Sequence, residues 1–225
     1  MTSGTPALLG PVIDRRRFAL ALARFDAANA QDPNREPVDG QQRPKALVYA
    51  ERMSAMLERF APEASEALRL AARCQHIERW KIPRSDYAMD RAGYLQWRKQ
   101  ANRFNAEVAT DILREIGYDE ATTVRVAALL RKEGLKLDPE AQALEDVVDL
   151  VFLESYLVGF VAAHGGYSTD KWLDILRKTA KKMSARGRAA ATGLIALPSA
   201  LAPLVERAID AVAQEQAASA GAAHA

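Results

Sequence analysis

Apolar residues recur at helical spacing along almost the whole chain. In the first such segment, Phe18, Leu22 and Phe25 fall on one face. No convincing run of alternating apolar and polar residues predicts a β-strand. We therefore expect an all-α fold whose helices occupy about 12–28, 45–60, 63–79, 90–116, 119–134 and 138–163, with another beginning at 168–170 and two more segments separated at Pro198.

Residues with known helix-ending or helix-starting preferences support these boundaries. Gly117 follows the fourth helix, at the position where glycine commonly ends a helix. Asp138 and Pro139 together form a strong helix start, since a capping residue precedes a proline in the first turn. The segment Gln31–Arg43 is polar and contains Asp39-Gly40, so we expect it to be the longest loop of the folded part.

The length and composition predict one globular domain. The chain has 225 residues, of which 49% are hydrophobic and 27% charged, as in ordinary soluble proteins. We expect a flexible N-terminus at 1–10, a single multi-helix domain at 11–216 and a flexible tail at 217–225. One cysteine excludes an internal disulfide and a cysteine-based zinc site. The sequence contains no recognisable secretory signal or membrane span, so we expect a cytoplasmic protein without a membrane partner.

The charge balance argues against a dedicated nucleic-acid-binding protein. The net charge is +2, from 31 basic and 29 acidic side chains, whereas such proteins are usually strongly basic. A local basic patch remains compatible with this balance. Lys182 and Arg188 belong to a basic run near the seventh helix. This run predicts either a solvated helical face, or a contact with phosphate or with an RNA backbone.

The densest group of candidate binding residues lies between His76 and Arg98. Arg91, Tyr94 and Arg98 share one helical face, and guanidinium groups bind phosphate or carboxylate through paired hydrogen bonds. Gly93 would let a neighbouring segment approach closely. The candidate ligand-binding residues are Arg84, Arg91, Tyr94, Trp97, Arg98, Lys182 and Arg188. The alternative is that the arginines form salt bridges with Glu51, Glu78 or Glu107.

Carboxylates within apolar helices are a second group of candidates. Asp146 and Asp149 lie in the most apolar helix, where a carboxylate needs an arginine, a similar cation or a metal ion as partner. Glu107 lies in the long fourth helix. A structural ion pair and a functional site both fit this pattern.

Several segments resemble a family of bacterial and fungal proteins, the domain-of-unknown-function family 4202. The resemblance covers about Arg17 to Arg188. It is carried by Tyr49-Ala50-Glu51-Arg52-Met53-Ser54, Gln75-His76 with Trp80 and Ile82-Pro83-Arg84, Tyr87 with Met89 to Leu95, Trp97-Arg98, Leu144 to Val147 with Val151 to Glu154, and Lys182-Met183-Ser184 with Gly187-Arg188. The family implies no activity.

A weaker likeness is to the HD-type metal phosphohydrolases, which are helical. Gln75-His76 resembles the helix end that carries their His-Asp pair, and the segment containing Asp146 resembles their later aspartate segment. The region that looks like their first-histidine segment, near Glu51, has no histidine. The resemblance implies an HD-domain-like helical bundle with one divalent transition metal on His76 and Asp146. Glu107 or Glu51 would then be a further ligand or the general base.

Two functions follow as hypotheses. The first is metal-dependent hydrolysis of a small phosphorylated or nucleotide-like substrate, with the arginines binding the phosphate. The second is a non-catalytic protein that binds an anionic metabolite or RNA, because the residues at the resembling positions differ from the HD ligand set. The substrate and the oligomeric state do not follow from the sequence.

Overall fold

The computed structural model describes residues 14–222 and confirms the all-α prediction. Ten α-helices account for most of this part of the chain. They are α1 (Arg15–Asn29), α2 (Lys45–Phe60), α3 (Glu66–Arg73), α4 (Arg91–Ile116), α5 (Glu120–Arg131), α6 (Pro139–Val151), α7 (Leu157–Ala163), α8 (Thr169–Lys182), α9 (Ala185–Gly193) and α10 (Ala202–Ala222). No helix within this range is both long and apolar enough to cross a membrane.

The predicted loop at Gln31–Arg43 is partly wrong, because it contains a β-hairpin. Strands β1 (Arg35–Val38) and β2 (Gln41–Pro44) pair in antiparallel register. Asp39 and Gly40 join them with φ angles of 49° and 78°, as required by the tight turns that suit hairpins. The strands are polar, so hydrophobic alternation gave no indication of them.

The third helix is shorter than its apolar spacing predicted. It begins after Ser65, whose side chain accepts a hydrogen bond from the Leu68 amide, and it ends at Arg73 instead of Arg79. Turns follow, and then a 3₁₀ turn at Arg79–Lys81. Glu78 has a φ of 50°, a left-handed conformation that cannot continue a helix.

Other predicted boundaries agree closely with the structure. Gly117 ends α4 with a φ of 87°, which confirms its predicted role. The predicted helix at 138–163 is α6 followed by a π-helical turn at Phe152–Tyr156 and then α7. Helix α10 continues past the predicted boundary at residue 216 to Ala222. The predicted flexible segment 1–10 lies outside the described residues.

The chain forms two compact units, one up to Leu144 and one from Glu145. In the first unit, α4 packs against α1 and α5, and α3 packs against α1, α2 and α5. Its core includes Phe25, Met53, Leu113 and the single cysteine, Cys74. In the second unit, α8 and α10 pack together.

Candidate functional site

The turn after α3 is held in place by two buried asparagines. The Asn105 side chain, on α4, donates a hydrogen bond from Nδ2 to the Gln75 carbonyl over 2.7 Å. The Asn29 side chain, at the end of α1, accepts one from the Glu78 amide over 3.2 Å. Each asparagine is only 1% exposed. These bonds fix the backbone on both sides of His76 and support the left-handed conformation of Glu78.

His76 projects from this turn and stacks on an aromatic ring of α2. Its imidazole lies parallel to the Tyr49 ring, with the ring centres 4.3 Å apart. Burial lowers the pKa of His76 well below its usual range, and the positive charges of Arg79, Lys132 and Arg98 lower it further. The imidazole is therefore neutral at pH 7, and three cationic side chains lie within electrostatic range of it.

Two arginines lie over aromatic faces beside His76. The guanidinium carbon of Arg79 is 4.6 Å from the centre of the Trp97 ring, and that of Arg98 is 5.8 Å from the centre of the Tyr94 ring. The Trp97 ring is held by its indole N–H, which donates to the Ile82 carbonyl over 2.9 Å. A guanidinium stacked by its face keeps its N–H groups directed sideways, where they can reach a ligand.

Within the described residues, neither of these arginines pairs with a carboxylate. Across residues 14–222, the side chains of Arg79 and Arg98 have no ion pair and no hydrogen bond; the nearby Glu78 pairs instead with Lys81 over 2.6 Å. Burial and the charge of Arg98 lower the pKa of Arg79. We call Tyr49, His76, Arg79, Tyr94, Trp97 and Arg98 the arginine–aromatic cluster.

Four residues predicted from the sequence thus come together in this cluster: His76, Tyr94, Trp97 and Arg98. Arg84 instead donates hydrogen bonds to the backbone carbonyls of Tyr87 and Ala88, over 3.0 and 2.6 Å. It closes the loop before α4. Arg91 is exposed in the first turn of α4.

Gly93 permits the close approach that the sequence predicted. A Cβ atom at this position would lie far inside contact distance of the Ala88 carbonyl oxygen. The loop before α4 therefore packs directly against the helix backbone. This packing sets the start of the helix that carries Tyr94, Trp97 and Arg98.

The two glutamates proposed for catalysis have arginine partners. Both carboxylate oxygens of Glu51 accept hydrogen bonds from Arg43, over 2.7 and 3.0 Å. Glu107 pairs with Arg103 one helical turn earlier on the exposed side of α4, over 2.8 Å. Each glutamate thus has an arginine partner, but that partner is neither Arg91 nor Arg98, the arginines that the predicted salt bridges would have used.

The remaining predicted residues lie in the second unit. Asp146 accepts hydrogen bonds from the Ser184 amide over 2.8 Å and from its hydroxyl over 2.5 Å, and Ser184 caps α9. Lys182 pairs with Asp149 over 2.5 Å. Arg188 donates to the Met183 carbonyl and to the Gln216 side chain, both over 2.7 Å. These contacts connect α6 to α9, and α9 to α10.

The predicted metal has no ligand set in the described part of the chain. No group of three or more histidine, cysteine, aspartate or glutamate side chains there is arranged to hold a metal ion. His76 faces the Tyr49 ring, and both oxygens of Asp146 are hydrogen-bonded to Ser184. The assignment of a metal to His76 and Asp146 stays a prediction.

Sequence reasoning missed Arg79, Lys132 and the two asparagines as parts of the site. Arg79 lies in the dense polar stretch around His76. Because the third helix was predicted to continue to Arg79, the turn that places this arginine beside His76 was not expected. Asn105 occupies a fully buried position of α4. A buried amide flanked by apolar residues could have indicated it, since such a group needs a partner.

Comparison with known proteins gives one match. No curated protein and no solved structure matches the chain, so the likeness to the HD-type hydrolases stays a prediction. The model of the family described as "Domain of unknown function (DUF4202)" matches residues 19–205. This range includes the arginine–aromatic cluster, and the chain belongs to the DUF4202 family.

Proposed function

We propose that the protein binds a small anionic molecule, phosphorylated or nucleotide-like, at the arginine–aromatic cluster. The observation that supports this most directly is the pair Arg79 and Arg98, which lie near each other and lack a carboxylate partner within residues 14–222. Like charges at close range repel, and a phosphate between them would relieve that repulsion while accepting charge-assisted hydrogen bonds.

The rest of the cluster suits such a ligand. The Trp97 and Tyr94 rings pack against the guanidinium groups of Arg79 and Arg98. This packing restricts the arginine side chains before binding, so less side-chain entropy is lost when a ligand binds. His76 is neutral, so its imidazole can donate or accept a hydrogen bond without adding charge. Tyr94 is 43% exposed, so a ligand can reach its side chain from solvent.

Titration calorimetry with inorganic phosphate and a set of phosphorylated metabolites tests this proposal. We expect Arg79→Gln or Arg98→Gln to weaken binding at least about tenfold, the usual effect of losing a charge-assisted hydrogen bond. Arg103→Gln is the matched control. Arg103 lies on α4, as Arg98 does, but it is exposed and paired with Glu107. Equal losses in all three variants, or no binding by the wild-type protein, would contradict the proposal.

Metal-dependent hydrolysis is the second candidate, favoured by the neutral His76, since a neutral imidazole is the form that binds metals. Metal analysis of the purified protein and of His76→Ala tests it. About one transition metal per chain, lost in the variant, would support a hydrolase. Phosphate binding that persists after exhaustive chelation would support binding without a metal.

RNA is an alternative ligand for the same charges. Binding to single-stranded RNA through its backbone would weaken steeply with salt. If a short RNA binds more tightly than phosphorylated metabolites, and with that salt dependence, then RNA and not a small molecule is the ligand of the cluster.

A further inference from the structure

The turn that carries His76 is lined by buried amide groups with unpaired atoms. Asn105 is 1% exposed and Gln75 is 3% exposed, yet neither Oδ1 of Asn105 nor Oε1 of Gln75 accepts a hydrogen bond from any of residues 14–222. On the other side of the turn, Nδ2 of Asn29 is also buried and donates to none of them. Because an unpaired buried polar group is costly, these three atoms indicate that a molecule other than the chain pairs with them.

The orientations of the two asparagine amides are fixed by their other hydrogen bonds. The nitrogen of Asn105 donates to the Gln75 carbonyl over 2.7 Å, so turning this amide round would bring two oxygens together. The oxygen of Asn29 accepts from the Glu78 amide over 3.2 Å. The unpaired atom is therefore an acceptor on Asn105 and a donor on Asn29.

The unpaired acceptors adjoin the arginine–aromatic cluster. Gln75 directly precedes His76 in the turn. Tyr94, Arg98 and Asn105 occupy positions i, i+4 and i+11 of α4, which fall on one face of a helix. The Cα atoms of Arg98 and Asn105 are about 10.5 Å apart along the helix axis. One face of α4 thus presents a cation at one end and an unpaired amide oxygen at the other.

We infer that the ligand of this cluster is a mononucleotide whose base carries an exocyclic amino group, as adenine and cytosine do. The inference rests on the proposed anion binding at the arginine–aromatic cluster. The phosphate lies at Arg79 and Arg98, and the amino group donates to the amide oxygens of Gln75 and Asn105.

Charge, length and hydrogen-bonding pattern all favour this class of ligand. Arg79 and Arg98 make the site positive, so a neutral amino group suits it better than an ammonium group. Inorganic phosphate and short alkyl phosphates cannot extend along about 10.5 Å of α4, whereas a mononucleotide can. The edge of such a base offers an amine with two N–H donors beside a ring nitrogen that accepts, which matches in kind the two unpaired oxygens and the unpaired Asn29 nitrogen.

Two matched pairs of probes separate the contribution of the amino group from that of the phosphate. Inosine monophosphate has a carbonyl oxygen in place of the amine of adenosine monophosphate, and uridine monophosphate differs from cytidine monophosphate in the same way. Titration calorimetry on the full chain should show at least about tenfold tighter binding of the amine-bearing nucleotide in at least one pair. The carbonyl oxygen would instead face the amide oxygens and leave them unpaired.

Gln75→Met tests the buried amide directly, because methionine has a similar length and no amide. We expect the preference for the amine to fall to at most about threefold, while the affinity for inorganic phosphate stays unchanged. The free energy of unfolding, measured by urea denaturation without ligand, should not decrease, since the variant loses an unpaired buried group. A role of Gln75 in folding alone predicts the opposite: lower stability with an unchanged preference.

Gln100→Met is the control, because Gln100 is an exposed glutamine of α4, and it should alter neither quantity. Equal affinities within both pairs of nucleotides would overturn the inference while leaving anion binding intact, and water would then be the partner of the buried amides. An equal loss of preference in Gln100→Met would also overturn it. Failure of the wild-type protein to bind inorganic phosphate and all four nucleotides would instead reject the proposed function. Gln75→Leu takes the place of Gln75→Met if that variant does not fold.

Discussion

Close packing restricts which side chains some positions can accept, and Gly93 is an example. The loop before α4 packs on its backbone, so a single methyl group at position 93 would overlap the Ala88 carbonyl. We expect Gly93→Ala to lower the free energy of unfolding by about 2 kcal/mol, as overpacking does.

The control for this prediction is Gly159→Ala. Gly159 lies in α7, and a Cβ atom there would have no neighbour within 4 Å. Alanine should stabilise that helix by up to about 1 kcal/mol. Urea denaturation measures the free energy of unfolding of both variants. Equal changes of the same sign would show that the contact with Ala88 is not the reason why position 93 requires glycine.

Asp138 illustrates a charge that contributes to stability. Its hydrogen bond with Arg125 lowers its pKa from 3.8 to about 2. The folded state therefore favours the carboxylate, and the resulting stabilisation is present above pH 3.8 and lost as the pH falls towards 2. Asp138→Asn keeps a residue that can cap α6, and we expect it to cost about 2 kcal/mol at neutral pH.

Urea denaturation of both proteins between pH 7 and pH 2 tests this prediction. The difference between wild type and Asp138→Asn should shrink as the pH falls below about 4. A difference that stays constant down to pH 2 would show that the carboxylate charge is not responsible.

At the scale of elements, many of the described helices begin at a side-chain cap. Asp146 of α6 holds one such cap in place, because it accepts two hydrogen bonds from Ser184, which caps α9. We expect Asp146→Ala to destabilise the protein by about 2 kcal/mol, since it leaves those donors without their acceptor.

Thermal and urea denaturation test this role of Asp146. Asp174→Ala is the control, because the Asp174 side chain on α8 is about half exposed and, among residues 14–222, pairs with Lys178 alone. Its loss should change stability by less than about 0.5 kcal/mol. Loss of a bound metal from Asp146→Ala, with full stability, would assign this carboxylate to a metal site instead.

The elements also show where sequence patterns succeed. Helices α2 and α4 combine apolar spacing with clear end signals, and the structure confirms both. The predicted end of α3 was wrong. The apolar spacing continues past Arg73, but tertiary hydrogen bonds to Asn29 and Asn105 hold the next residues in turns. Such long-range contacts leave no local pattern in the sequence.

For the molecule as a whole, sequence reasoning found four of the six residues of the arginine–aromatic cluster. His76, Tyr94, Trp97 and Arg98 stood out because polar and aromatic residues are dense there. Lys132 did not, because its relation to His76 depends on how α5 packs against α4. The sequence identifies residues whose side chains suit ligand binding, but the fold determines which of them lie close enough together to contact one ligand.

The buried cysteine offers a practical route to following that ligand. Cys74 has no exposed surface, its thiol donates to the Leu70 carbonyl over 3.1 Å, and burial raises its pKa. It should therefore be inert to thiol-reactive dyes in the folded protein. A single cysteine introduced at exposed Gln100 on α4 would then carry the only attached dye. Ligand binding could be followed by the fluorescence of this dye without replacing a native residue of the core.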